Sequence, residues 1–170
     1  MTLIDIGANL AHDSFDRDRD AVLERAAAAG VDTLVITGSC RASSERAAEL
    51  AAARPGRLYA TAGIHPHHAR DYDAGSAHWI RGLAAQPGVV AVGECGLDFF
   101  RDFSPRDDQE RAFRGQIEAA IELDAPLFLH QRDAHERFCA ILDEIRGHLH
   151  RAVAHRISGG PEEPAYYRAR

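Results

Sequence analysis

Short apolar runs alternate with longer amphipathic stretches along most of the chain. Leu3 to Gly7, Val31 to Gly38, Leu58 to Ala62, Val89 to Val92, Pro126 to His130 and Arg151 to His155 read as strands. Among them, Val89 to Val92 is an apolar run of the kind buried on both faces of a parallel sheet. The stretches between them predict helices: one from the caps His12 to Ser14 through to Gly30, then Ala42 to Ala53 and about His78 to Ala85. A long helix follows Ser104 and Pro105, and another covers Ala134 to Arg146. Capping residues and a first-turn proline mark the helix starts, and glycines mark several ends.

Strands alternating with helices imply parallel pairing and right-handed crossovers. Two closures fit this pattern, an open doubly wound sheet and a TIM-type (β/α)8 barrel, which typically takes about 250 residues. About six strands in 170 residues, with a tail that begins another helix, predict a single domain over 1–170, an incomplete α/β barrel. Residues 157–170 form an atypical tail, in which Pro164 opposes helix continuation. The open sheet is the rival.

Composition narrows the chemistry. All 20 basic residues are arginine, which removes Schiff-base, phosphate-loop and metal-bridging lysines. Histidine occurs ten times, and it is both a common metal ligand and a proton shuttle near neutral pH. A net charge of −6 argues against nonspecific coating of nucleic acid, though not against a local phosphate site. Three widely spaced cysteines, Cys40, Cys95 and Cys139, suit a reducing compartment rather than a disulfide framework. No apolar run approaches the ~20 residues of a membrane span. We therefore expect a cytoplasmic protein without a membrane partner. No GxGxxG follows the first strand, which argues against dinucleotide binding.

The residues just past the strands share one rim in either closure. They are Gly7 and Asn9, Gly38, His65 and His67, Glu94, His130, and His155. Four of the six strand ends thus bear an imidazole or a carboxylate, a mixture that suits zinc, manganese or, with more oxygen ligands, magnesium. Glu94 fits a metal ligand or general base, or a carboxylate that takes backbone amides at the corner. His65 fits a proton donor to phosphate, or a cap for the loop at Pro66. His12, His67, His68, His148 and His150 are expected to face solvent.

At this rim the sequence resembles the TatD family of metal-dependent deoxyribonucleases. The resemblance rests on DIGANL (Asp5 to Leu10), GIHPH (Gly63 to His67), GECGLDF (Gly93 to Phe99), QERAF (Gln109 to Phe113) and PLFLHQRDA (Pro126 to Ala134), in family order. It implies hydrolysis of DNA phosphodiester bonds, single-stranded or at 3′ ends, supported by a divalent metal, Mg2+ first and Mn2+ or Zn2+ next. It also implies Glu94, His130 and His155 as metal ligands, with Glu94 and His65 catalytic. Asn9, His67 and Arg132 are the candidate substrate-binding side chains.

Three departures qualify that expectation. Gly7 and Asn9 stand where many relatives carry a His-x-His pair. The family's final strand, with its water-activating aspartate, has no counterpart; Asp124, before Ala125 and Pro126, lies at the wrong end of its strand. The sixth strand continues as HRISGG, which puts Arg156 beside a ligand. These features predict impaired hydrolysis and self-association through exposed barrel edges. A metallo-esterase or amidase acting on a small substrate is one alternative. A catalytically inactive metal- or nucleic-acid-binding remnant is the other.

Overall fold

A computed structural model describes residues 3–145, 147–148, 151–155, 160 and 163–164. Arg156 and His150 lie outside the described residues, as does most of the 157–170 tail. Pro164, expected to oppose a helix, is itself helical beside Glu163.

Strands β1 (Leu3–Ala8), β2 (Val31–Ile36), β3 (Leu58–Ala62), β4 (Val89–Asp98), β5 (Leu127–Arg132) and β6 (Ala152–His155) form one parallel sheet in chain order. The helices are α1 (Arg19–Ala28), α2 (Arg41–Ala53), α3 (Ser76–Ala84), α4 (Arg106–Glu122) and α5 (His135–Glu144). The sheet curls as a barrel wall does. A Cβ at Gly7 on β1 would lie 2.8 Å from His155 Cε1 on β6, so the carboxyl tips of the two outer strands meet.

Most predicted segments coincide with observed ones, and the two largest differences have physical causes. The first helix begins only at Arg19, after a 3-10 turn at Asp13–Phe15 that His12 caps through Nδ1. The density of Asp and Arg between the two holds no apolar stripe to bury. Strand β4 does not stop at Gly93 but runs on to Asp98. Gly93 and Gly96 have φ of 132° and 146°, and a Cβ there would collide with the carbonyl oxygens of Phe128 and His130. These glycines allow β4 to press against β5, rather than ending the strand.

A register irregularity between Gly93 and Cys95 resets the strand, and from Glu94 onward alternation divides its side chains. Cys95 and Leu97 join Val92 in the core, with Phe113 and Ile117 of α4 and Phe138 of α5, while Glu94 and Asp98 point to the concave face. The α4 positions Gln109, Ala112, Phe113, Gln116, Ile117 and Ala120 are all buried, a helical stripe laid on the sheet. A smaller cluster joins Leu23 of α1 to Leu34, Ile36 and Leu58.

Candidate active site

The concave face gathers polar groups at the carboxyl ends of β3, β4 and β5. His65, Glu94 and His130 each bring one ligand atom within 4.8 Å of the others, and all three are buried. His130 Nδ1 lies 3.0 Å from Glu94 Oε1, and its Nε2 lies 3.1 Å from Asp98 Oδ2. His67 Nε2 reaches the same Asp98 oxygen at 2.9 Å. His67 is therefore turned into the site and not simply out to solvent, whereas His12, His68 and His148 are exposed.

His65 takes on the capping role the sequence leaves open. Its Nδ1 accepts from the His67 N–H at 3.1 Å, which in the neutral ring leaves the proton on Nε2, 3.9 Å from Glu94 Oε1. Burial, reinforced by the neighbouring His130 and His67, pushes its pKa from 6.5 down to about 2, so the ring is neutral at ordinary pH. An N–H pointed into the site makes His65 a hydrogen-bond donor toward an anion.

Asp98 is a residue that sequence reasoning missed. Burial pushes its carboxyl up, but the Arg101 N–H and the imidazoles of His67 and His130 outweigh this and hold it below the ordinary carboxylate value. The signal was present in GECGLD. Once Glu94 is placed on the concave face, period-two alternation puts residue 98 there too.

Two glutamines of α4 brace the site-bearing segments. Gln116 Oε1 accepts from Ile64 N at 2.8 Å and its Nε2 donates to Ile64 O at 3.0 Å, which pins the backbone beside His65. Gln109 does the same to Asp98, accepting from its N–H at 2.8 Å and donating to its carbonyl at 3.2 Å. The two are seven residues apart, two helical turns along one face.

The remaining candidates are spread around this cluster. Asn9 and His155 line a cleft of about 440 Å³ together with Thr37, Ser39, His65 and Glu94. His155 pairs with His130 in register, its ring 5.1 Å from Phe128, and it is not among the groups that converge within 4.8 Å. Its ring lies in the space that a Cβ at Gly7 would enter. Arg132, two residues beyond His130, lays its guanidinium 3.9 Å over the Phe100 ring. Asp124, before β5, stands at the opposite end of the sheet.

A family model described as TatD related DNase matches residues 4–169. The chain belongs to the TatD family. It is 49% identical over 161 residues to the 3'-5' ssDNA/RNA exonuclease TatD of Pantoea sp. (strain At-9b), a match covering 95% of this chain and 62% of that protein. Among solved structures, a TatD homologue from Escherichia coli superposes with a TM-score of 0.89 at 27% identity, covering 98% of this chain and 64% of the other. A hydrolase of the TatD family from Entamoeba histolytica also gives 0.89 at 27% identity, covering 99% and 62%. The chain thus spans a little over three-fifths of the length of the TatD relatives it matches.

Proposed function

We propose that this chain carries the metal-binding and phosphate-binding part of a 3′–5′ exonuclease acting on single-stranded DNA, with RNA as a second substrate. The observation that carries the reading is the convergence of His65 from the turn after β3, Glu94 of β4 and His130 of β5. The high identity to TatD exonucleases supports the direction and the substrate.

In this reading Glu94 and His130 hold a divalent metal, with His155 joining them from the last strand. A buried carboxylate facing imidazoles fits such an ion. Mg2+ is our assignment, and the donor set also accommodates Mn2+ or Zn2+. The chemistry a bound ion supplies is acidification of water and polarisation of a phosphoryl oxygen. The protein's own groups do the rest. Asp98 accepts from His130 Nε2, the outer-shell contact that fixes the orientation of a ligating ring. His65, neutral with its proton on Nε2, donates toward the scissile phosphate or its leaving oxygen. Asn9, His67 and Arg132 position the strand around it. The cytoplasm, where thiols stay reduced, is the compartment we assign, and we propose self-association through exposed strand edges. A sedimentation mass that rises with concentration is the expected mark of that association.

The test is degradation of a labelled single-stranded oligonucleotide with Mg2+ or Mn2+, run beside Glu94→Gln and a chelator. Loss of activity of at least about 100-fold in both controls is expected, since outer-shell changes alone cost about 10–100-fold. Turnover that survives both would overturn the metal reading. Metal binding by calorimetry without any turnover would favour the inactive binding module.

A further inference from the structure

The loop joining β4 to α4 displays Phe100 and Phe103, which are 58% and 56% exposed. We propose that these two rings, with the guanidinium of Arg132, form a stacking platform for unpaired bases of a single strand whose phosphate lies in the site. The proposal rests on the nuclease reading above. It adds recognition of the base, a part of the substrate that the His65–Glu94–His130 cluster does not address.

The loop backbone is braced, which fixes where the two rings stand. Gln109 Nε2 donates to Ser104 O at 2.9 Å. The fully buried Ser104 hydroxyl donates to His67 O at 3.0 Å and accepts from Arg70 N at 3.2 Å. The Arg70 side chain donates to the Phe103 carbonyl. Phe103 lies 4.8 Å from the ring of His67, which bonds Asp98, and Phe100 lies beneath Arg132, two residues beyond His130. By contrast, neighbouring Phe99 is half-buried and packs against the core.

The exposure does not come from a sheet edge. The loop follows β4, in the middle of the sheet, with β3 and β5 on either side. Arg132 makes no ion pair among the described residues, so its charge is available to an anion. A guanidinium stacked face-on to an aromatic ring keeps its N–H edge for a phosphate oxygen. Aromatic rings alternating with a cation are how sequence-tolerant single-strand grooves are built, because every base has a π-face. A duplex, whose bases already stack on one another, does not offer those faces.

The experiment uses a phosphorothioate-linked oligonucleotide, resistant to hydrolysis, with 2-aminopurine at its 3′ end, and a second that is abasic there. Binding to the parent chain should quench the 2-aminopurine fluorescence. Phe100→Leu and Phe103→Leu keep the apolar bulk but remove the aromatic face. Each should weaken binding of the first probe by about five-fold or more and reduce its quenching. Neither should change binding of the abasic probe. Arg132→Gln should weaken both probes. Undiminished quenching in the leucine variants, or an equal loss with the abasic probe, overturns the platform, and oligonucleotide binding by the parent separates that outcome from a failure of strand binding, which the nuclease reading requires. A parent chain that binds neither probe overturns both.

Discussion

Strands β1 and β4 draw on similar aliphatic residues, yet β4 is buried continuously from Val92 to Asp98 while Leu3, Ile4, Asp5 and Ile6 of β1 are exposed. Composition does not separate them; neighbours do. Strand β4 has β3 and β5 beside it and α3 and α4 behind it, whereas among the described residues β1 pairs only with β2. The acidic and imidazole groups of the cluster stand on the sheltered central strands and the turn after β3. Among the described residues no buried side-chain polar atom lacks a partner. The centre can hold charge because its geometry is enforced from every side.

Removing a side chain from each region should cost the two very different amounts. Phe138, fully buried and stacked on Phe113 with ring centroids 5.1 Å apart, should cost about 3–5 kcal/mol as Phe138→Ala. Ile4, 61% exposed, should cost less than about 0.5 kcal/mol as Ile4→Ala. Urea unfolding measures both. Equal losses would mean the margin is as well packed as the centre.

Acid titration tests the same contrast through protons. The unfolded chain protonates His65 below 6.5, while the folded one excludes that proton down to about 2. Stability from this group is therefore whole above pH 6.5 and is lost as the pH falls toward about 2, with a slope of up to about 1.4 kcal/mol per pH unit. Asp98, held below the ordinary carboxylate value, adds to the loss only at the acid end, as the pH falls through its folded pKa. Urea midpoints of the metal-free protein at pH 7, 6 and 5 should decline, and His65→Asn should flatten the decline. A level profile in the parent chain would contradict the neutral, buried ring.

The smallest effect we expect at the centre is the loss of one brace. Gln116→Leu should cost about 1–3 kcal/mol by stranding the N–H and carbonyl of Ile64, and should raise hydrogen exchange at Ile64 and His65. Unchanged exchange there would show that the brace is dispensable.

Much of this centre was legible in the sequence, for identifiable reasons. Strand β3 ends where its short apolar run gives way to GIHPHH, and a histidine after it needs no tertiary information to be noticed. Asp98 was hidden because Gly93 reads as a stop in one dimension, whereas in three it is the point where β4 presses against Phe128. Gln109 and Gln116 were invisible for a related reason. A polar residue within an apolar helical stripe signals a partner, but only the folded sheet shows that the partner is backbone. The inward turn of His67 likewise depends on Asp98, thirty-one residues away in the chain.

The strands lie side by side in the order in which they are written, and that has a consequence for how the protein is made. As the chain leaves the ribosome, each strand from β2 to β6 meets a neighbour that has already been translated. Folding can advance like a zip from the first strand onward, with only short loop closures at each step. The cluster fills in the same sequence, His65 before Glu94 and Asp98, then His130. A nascent chain halted before β5 emerges would hold two carboxylates without the imidazole of His130, which reaches both of them in the folded chain.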